Sequence, residues 1–126
     1  MSAVGRIRVV AIEMSDQAFD QAVSDALDLI PEQFMELLDN VVVLVEDEPD
    51  DPDEDLLGLY EGIPLAERDS HYGGVLPDHI FIFREPLKRL CSSVDELVEE
   101  IGVTVAHEIA HFFGIDDDHL DAMGWG

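Results

Sequence analysis

The chain has 126 residues, 47% of them hydrophobic, which is enough for one packed domain over residues 1–126 and leaves no room for a second. Six basic residues stand against 30 acidic ones, and the resulting charge of −24 argues against nucleic acid and anionic membranes as partners while suiting cations or basic peptides. A single cysteine, Cys91, rules out an internal disulfide, and with no signal-peptide pattern and no membrane-length apolar run the expected location is the cytoplasm.

Residues 7–12 are β-prone. Ser15 and Asp16 mark a helix start, and Phe19, Val23, Ala26, Leu27 and Ile30 form one apolar stripe over residues 16–30. Pro31 breaks that pattern and opens a second short helix, with Phe34, Met35, Leu37 and Leu38 as its buried side. The β-branched run 41–45 reads as a buried strand. Residues 46–55 are acidic with two prolines and read as a solvated, mobile loop. A second strand is expected over 56–60, a turn at Glu61-Gly62-Ile63-Pro64, and a loop over 70–78. The third strand is 79–83, closed by Glu85 and Pro86, with a helical turn at 87–91 in which Cys91 packs rather than reacts.

Ser92 and Ser93 are each followed three residues later by an acid, Asp95 and Glu96, as in a capping box. A long helix is therefore predicted over 94–113, with Val94, Val98, Ile101, Val105, Ile109 and Phe112 as its core stripe. Gly114 is placed to end it. The second half of this helix is apolar on nearly every side, which predicts burial, yet it carries His107, Glu108 and His111. Burying such groups without partners is costly, so something must satisfy them. At about 100° per residue His107 and His111 lie one turn apart on one face, where two imidazoles can share a metal ion. Glu108 sits about 60° round from His111, at the border of the pair, as suits a carboxylate that takes a proton from a metal-activated water. A catalytic zinc needs a third protein ligand. Asp117 follows His111 by six residues, and Asp116, Asp118 and His119 flank it.

His107-Glu108-x-x-His111-x-x-Gly114-x-x-Asp117 resembles the metzincin form of the zincin signature, in the variant with aspartate as third ligand. The wider chain is similar to small bacterial zincin-like metallopeptidases, the minimal metzincins. The resembling stretches are 40–45, Leu56-Leu57-Gly58-Leu59-Tyr60-Glu61-Gly62, Leu76-Pro77-Asp78-His79-Ile80 and 104–114. The resemblance implies an α+β fold, a small mixed sheet packed against helices with the motif on a long helix. It also implies His107, His111 and Asp117 as zinc ligands, Glu108 as general base, and Gly114 as the turn. Metzincins carry a methionine-bearing turn beneath the zinc, for which Met123 is the sole candidate, and a substrate-binding C-terminal half that is expected to be missing here.

The expected function is zinc-dependent peptide-bond hydrolysis on a peptide or protein substrate. The alternative is a non-catalytic or weakly active zinc-binding module that binds a basic partner. His119, then Asp116, are the substitutes for Asp117, which can also begin a short helix from 116 to 123. His71, Tyr72 and His79 are candidates to border the cleft, against a plain surface role. Met123 reads as a core methionine and Trp125 as an anchor of the chain end. The peptide is expected to add to an exposed strand edge, with 79–83 the first choice.

Overall fold

The computed structural model describes residues 13–38, 40–51, 53–54, 56–63 and 77–115. The expectations for residues 7–12, for 70–76 of the predicted 70–78 loop and for 116–126 lie outside these, among them His71, Tyr72, Asp116, Asp117, His119, Met123 and Trp125. The described residues form an α+β fold of four α-helices and a mixed three-stranded sheet.

Helix α1, Asp16–Asp28, starts where expected, because the Ser15 hydroxyl accepts a hydrogen bond from the Ala18 amide at 3.1 Å. Its stripe is the predicted one: Phe19 and Val23 are buried, and Ala22, Ala26, Leu27 and Ile30 pack around them. Helix α2, Glu32–Met35, follows Pro31 and tightens into a 3-10 turn, Glu36–Leu38. Only Leu38 of its predicted buried side joins the core; Phe34, Met35 and Leu37 are exposed. One helical turn followed by a 3-10 turn keeps no constant apolar face.

Strand β1, Val41–Glu46, runs parallel to β3, Asp78–Phe83, and β2, Gly58–Glu61, runs antiparallel to it, in the order β1-β3-β2. The central position therefore falls to β3, whose Ile80 and Ile82 lie in the core, with Asp78 and Phe83 also buried. This corrects two expectations. The 41–45 run is not a fully buried strand: Val41, Val43 and Val45 face the core, while Val42 and Leu44 are partly open to solvent. A continuous apolar run does not reveal which strand lies at the edge. Residues 79–83 offer no edge to a peptide, since β1 and β2 occupy both sides.

β3 ends at Phe83 as expected, and the chain passes straight into helix α3, Arg84–Leu90, whose first turn holds Glu85 and Pro86. Pro86 lies in the first turn, where its missing N–H has no intrahelical partner to lose. The 46–55 stretch is tied down at its start: Glu46 ends β1, Pro49 is buried, and the Glu85 amide donates to the Asp47 carbonyl at 3.0 Å. Arg84 and Arg89 pair with Asp47 and Glu48. Cys91 is buried in the core as a packing residue, and burial, with Glu96 and Glu100 nearby, pushes its thiol up.

Helix α4, Val94–Phe112, opens at Ser93, whose hydroxyl accepts from the Glu96 amide at 3.1 Å. Its core face is Leu97, Ile101, Val105, Ile109 and Phe112. Val94 and Val98, expected in the stripe, are each 47% exposed, because Leu97 takes the inward position in the cluster that holds Leu87 and Cys91. The second half is not buried all round either. Val103 is exposed, and one flank opens on an apolar groove of about 1010 Å³ bounded by Ala26, Ile30, Phe34, Ala106 and Phe113. Among the described residues no helix is long and apolar enough to cross a membrane.

Candidate metal centre

The last turn of α4 is closed by a glycine cap. The Gly114 amide donates to the His111 carbonyl at 2.9 Å, and the Ile115 amide to the Ala110 carbonyl at 3.0 Å. This pair of bonds is the Schellman arrangement, and Gly114, at φ 89°, supplies the left-handed residue it requires. The predicted turn is thus confirmed, and it fixes where the chain leaves the helix behind His111.

On that helix His107 and His111 stand one turn apart, with ring centroids 4.6 Å apart and planes at 74°. Glu108 is buried at 5% exposure, and its Oε1 lies 3.2 Å from His111 Nδ1. One ligand atom from each of His107, Glu108 and His111 lies within 4.8 Å of the others, a grouping that could hold a metal ion. Two imidazole nitrogens beside a carboxylate form a donor set of the kind zinc takes. Of the three, Glu108 is buried and the two histidines are half-buried, so the histidines face the open side of the group.

Strand β2 forms the wall on the Glu108 side. A Cβ built on Gly58 would lie 2.9 Å from Thr104 Cγ2 and 3.1 Å from Glu108 Cγ, so the strand backbone sits almost on the helix. Two residues on, the Tyr60 ring stands edge-on to Phe112 with centroids 6.1 Å apart. The Tyr60 hydroxyl donates to Asp78 Oδ2 at 2.6 Å. Asp78 is itself buried, at 3% exposure, and a Cβ on Gly62 would collide with its carboxyl atoms. This Tyr60–Asp78–Gly62 contact locks the end of β2 to the start of β3. The sequence pattern did not reveal this contact; the three residues stood out only within the two resembling stretches and, for Gly62, in the predicted turn. His79, a candidate to border the cleft against a plain surface role, alternates to the sheet face opposite Ile80 and stacks on Phe81, with centroids 6.1 Å apart.

Among solved structures, a conserved hypothetical protein from Thermo thermophilus is similar at 24% identity and a TM-score of 0.55, over 87% of this chain and 97% of that one. That likeness shows the fold. No curated protein matches significantly. The zincin-like metallopeptidase family matches residues 38–125, most of the chain and all of the described site, and it implies a zinc cofactor. With a buried glutamate and two histidines of one helix gathered at bonding range, this protein belongs to the zincin-like metallopeptidases.

Proposed function

We propose that this protein hydrolyses peptide bonds, with His107 and His111 as zinc ligands and Glu108 as general base. The supporting observation is the gathering of these three side chains on one helix, with the carboxylate buried against His111. Asp117 is the proposed third ligand, and His119 or Asp116 would take its place if the chain turned differently after Gly114.

Zinc, when bound, would supply Lewis acidity, polarising the carbonyl and making water a better nucleophile at neutral pH. Glu108 would receive the proton of the attacking water on its carboxylate and pass it to the departing amine. Its burial by β2 limits hydration of that carboxylate and holds it beside the histidines. The peptide would lie along β2 rather than β3. β2 touches α4 at Gly58, and its side away from β3 is unpaired among the described residues. The charge of −24 favours substrates with basic residues.

The test is Glu108→Gln, measured for zinc content and for cleavage of a quenched-fluorescence peptide library. Zinc should remain at wild-type stoichiometry while cleavage falls by about 10²–10⁴-fold. Unchanged turnover would remove Glu108 as base. Stoichiometric zinc in a wild type that cleaves no peptide would favour the other reading, a zinc-binding module for a basic partner.

A further inference from the structure

We infer that Gly58 is a positioning residue for Glu108: its missing side chain sets where the glutamate stem seats beside His111. The inference rests on Glu108 being the base, but its geometry stands apart from that chemistry. Glycine weakens a strand, so its presence as the first residue of β2 invites a cause. Backbone conformation is not the cause, because among the described residues the positive-φ glycines are Gly62 and Gly114. Space is the cause. A Cβ at position 58 would meet Thr104 Cγ2 at 2.9 Å, the Phe81 carbonyl oxygen at 3.0 Å and Glu108 Cγ at 3.1 Å.

These three neighbours differ in what they can yield. The Phe81 carbonyl belongs to the central strand, which is paired on both sides. Thr104 is buried at 5% exposure and β-branched, hence stiff about its first side-chain bond. The Glu108 stem has more rotatable bonds and yields most readily, while the tighter contacts require Thr104 or the strand to shift with it. A methyl at position 58 should therefore displace the carboxylate from His111 Nδ1 together with a small adjustment of Thr104 and the strand. Two other described glycines lack this link: Gly62 faces Asp78, and Gly102 faces open space.

The experiment is Gly58→Ala, read in two ways. In metal-free protein at fixed pH, the His111 imidazole ¹⁵N signals should shift in the direction produced by Glu108→Gln, while those of His79 stay in place. In zinc-loaded protein, kcat on the best-cleaved library peptide should fall about ten-fold or more, with KM little changed and zinc stoichiometry kept. If Gly58→Ala fails to fold, Gly58→Ala with Thr104→Ala makes room for the methyl and leaves the Glu108 contact, and it is compared with Thr104→Ala alone. His111 signals that do not move in the folded variant, or a kcat equal to that of its control, overturn the inference. A wild type that cleaves no peptide, with the His111 shift still present, keeps the positioning role and removes the peptidase reading.

Discussion

Two clusters of charged or titratable side chains are held partly out of water, and they are built in opposite ways. Around Arg84, whose side chain is 13% exposed, the partners come from distant parts of the chain. Asp20 of α1 accepts at 2.9 Å, Asp47 beyond β1 accepts at 3.0 Å, and Asp16 lies 3.8 Å away. Burial disfavours the Arg84 charge, but hydrogen bonds to Asp20 and Asp47 outweigh it, and its pKa is raised. That cluster ties α1, the end of β1 and α3 together. His107, Glu108 and His111 come instead from five consecutive residues of one helix, so their grouping closes within a single element. A polar cluster that links elements serves the fold; one gathered on a single helix ties no elements together, and this one is close enough to hold a metal ion.

The largest effect should come from His111→Ala. Zinc content should fall from about one per chain to background and cleavage should disappear. Metal-free stability should change by about 1 kcal/mol or less, because His111 is itself part-exposed and its removal lets water reach the Glu108 carboxylate. Metal analysis together with urea unfolding in chelator checks both halves. Full zinc occupancy, or a large loss of metal-free stability, would break the contrast.

Leu97→Ala calibrates the fold side. Leu97 is fully buried in α4 and Val98 is 47% exposed, so the first truncation should cost about 3 kcal/mol and Val98→Ala about 0.5 kcal/mol or less. Arg84→Met should fall between them, at about 2 kcal/mol, since its carboxylate partners are themselves exposed and can rehydrate. Neither Leu97→Ala nor Arg84→Met should alter zinc stoichiometry. Zinc lost in a folded Arg84→Met variant would show that the clamp also shapes the site.

These pairs also mark how far the sequence could be read. The caps at Ser15 and Gly114, and the pair Ser92 and Ser93 from which the fold takes Ser93, were legible because each acts over three or four residues, and the His-Glu-His spacing was legible because a helix repeats locally. Leu97 and Val98 were not separable: both lie at helical spacing from Ile101, and only packing into the cluster of Leu87 and Cys91 selects between them. The edge position of β1 was hidden for the same reason, since strand order depends on pairings far apart in the chain. The pairing of Tyr60 with Asp78, across 18 residues, had no local signature. The same holds for the closeness of Gly58 to Glu108, which exists only once β2 lies on α4. Composition marked the acidic stretch as a solvated loop, and its described residues other than Pro49 are exposed, but it gave no sign that Arg84 and Arg89 pair with Asp47 and Glu48 at its start.

The smallest effect belongs to Arg89, the weakest of the fold-linking pairs. Its guanidinium reaches Glu48 Oε1 at 2.7 Å and Oε2 at 3.3 Å, with both side chains well exposed. The hydrogen bond from Arg89 holds the Glu48 carboxyl below its ordinary 4.5, against an upward push from burial and from Asp47. A carboxylate with a lowered folded pKa stabilises the fold above its unfolded pKa, and that contribution is lost as pH falls through the folded value. Arg89→Ala should therefore lower the melting temperature slightly at pH 7, and the gap should close as pH falls below 4.5. Molar salt at pH 7 should narrow the same gap by screening the pair. A gap that ignores both pH and salt would assign the contribution of Arg89 to the packing of its aliphatic stem, leaving Arg84 as the charge-based clamp against which the histidine cluster is compared.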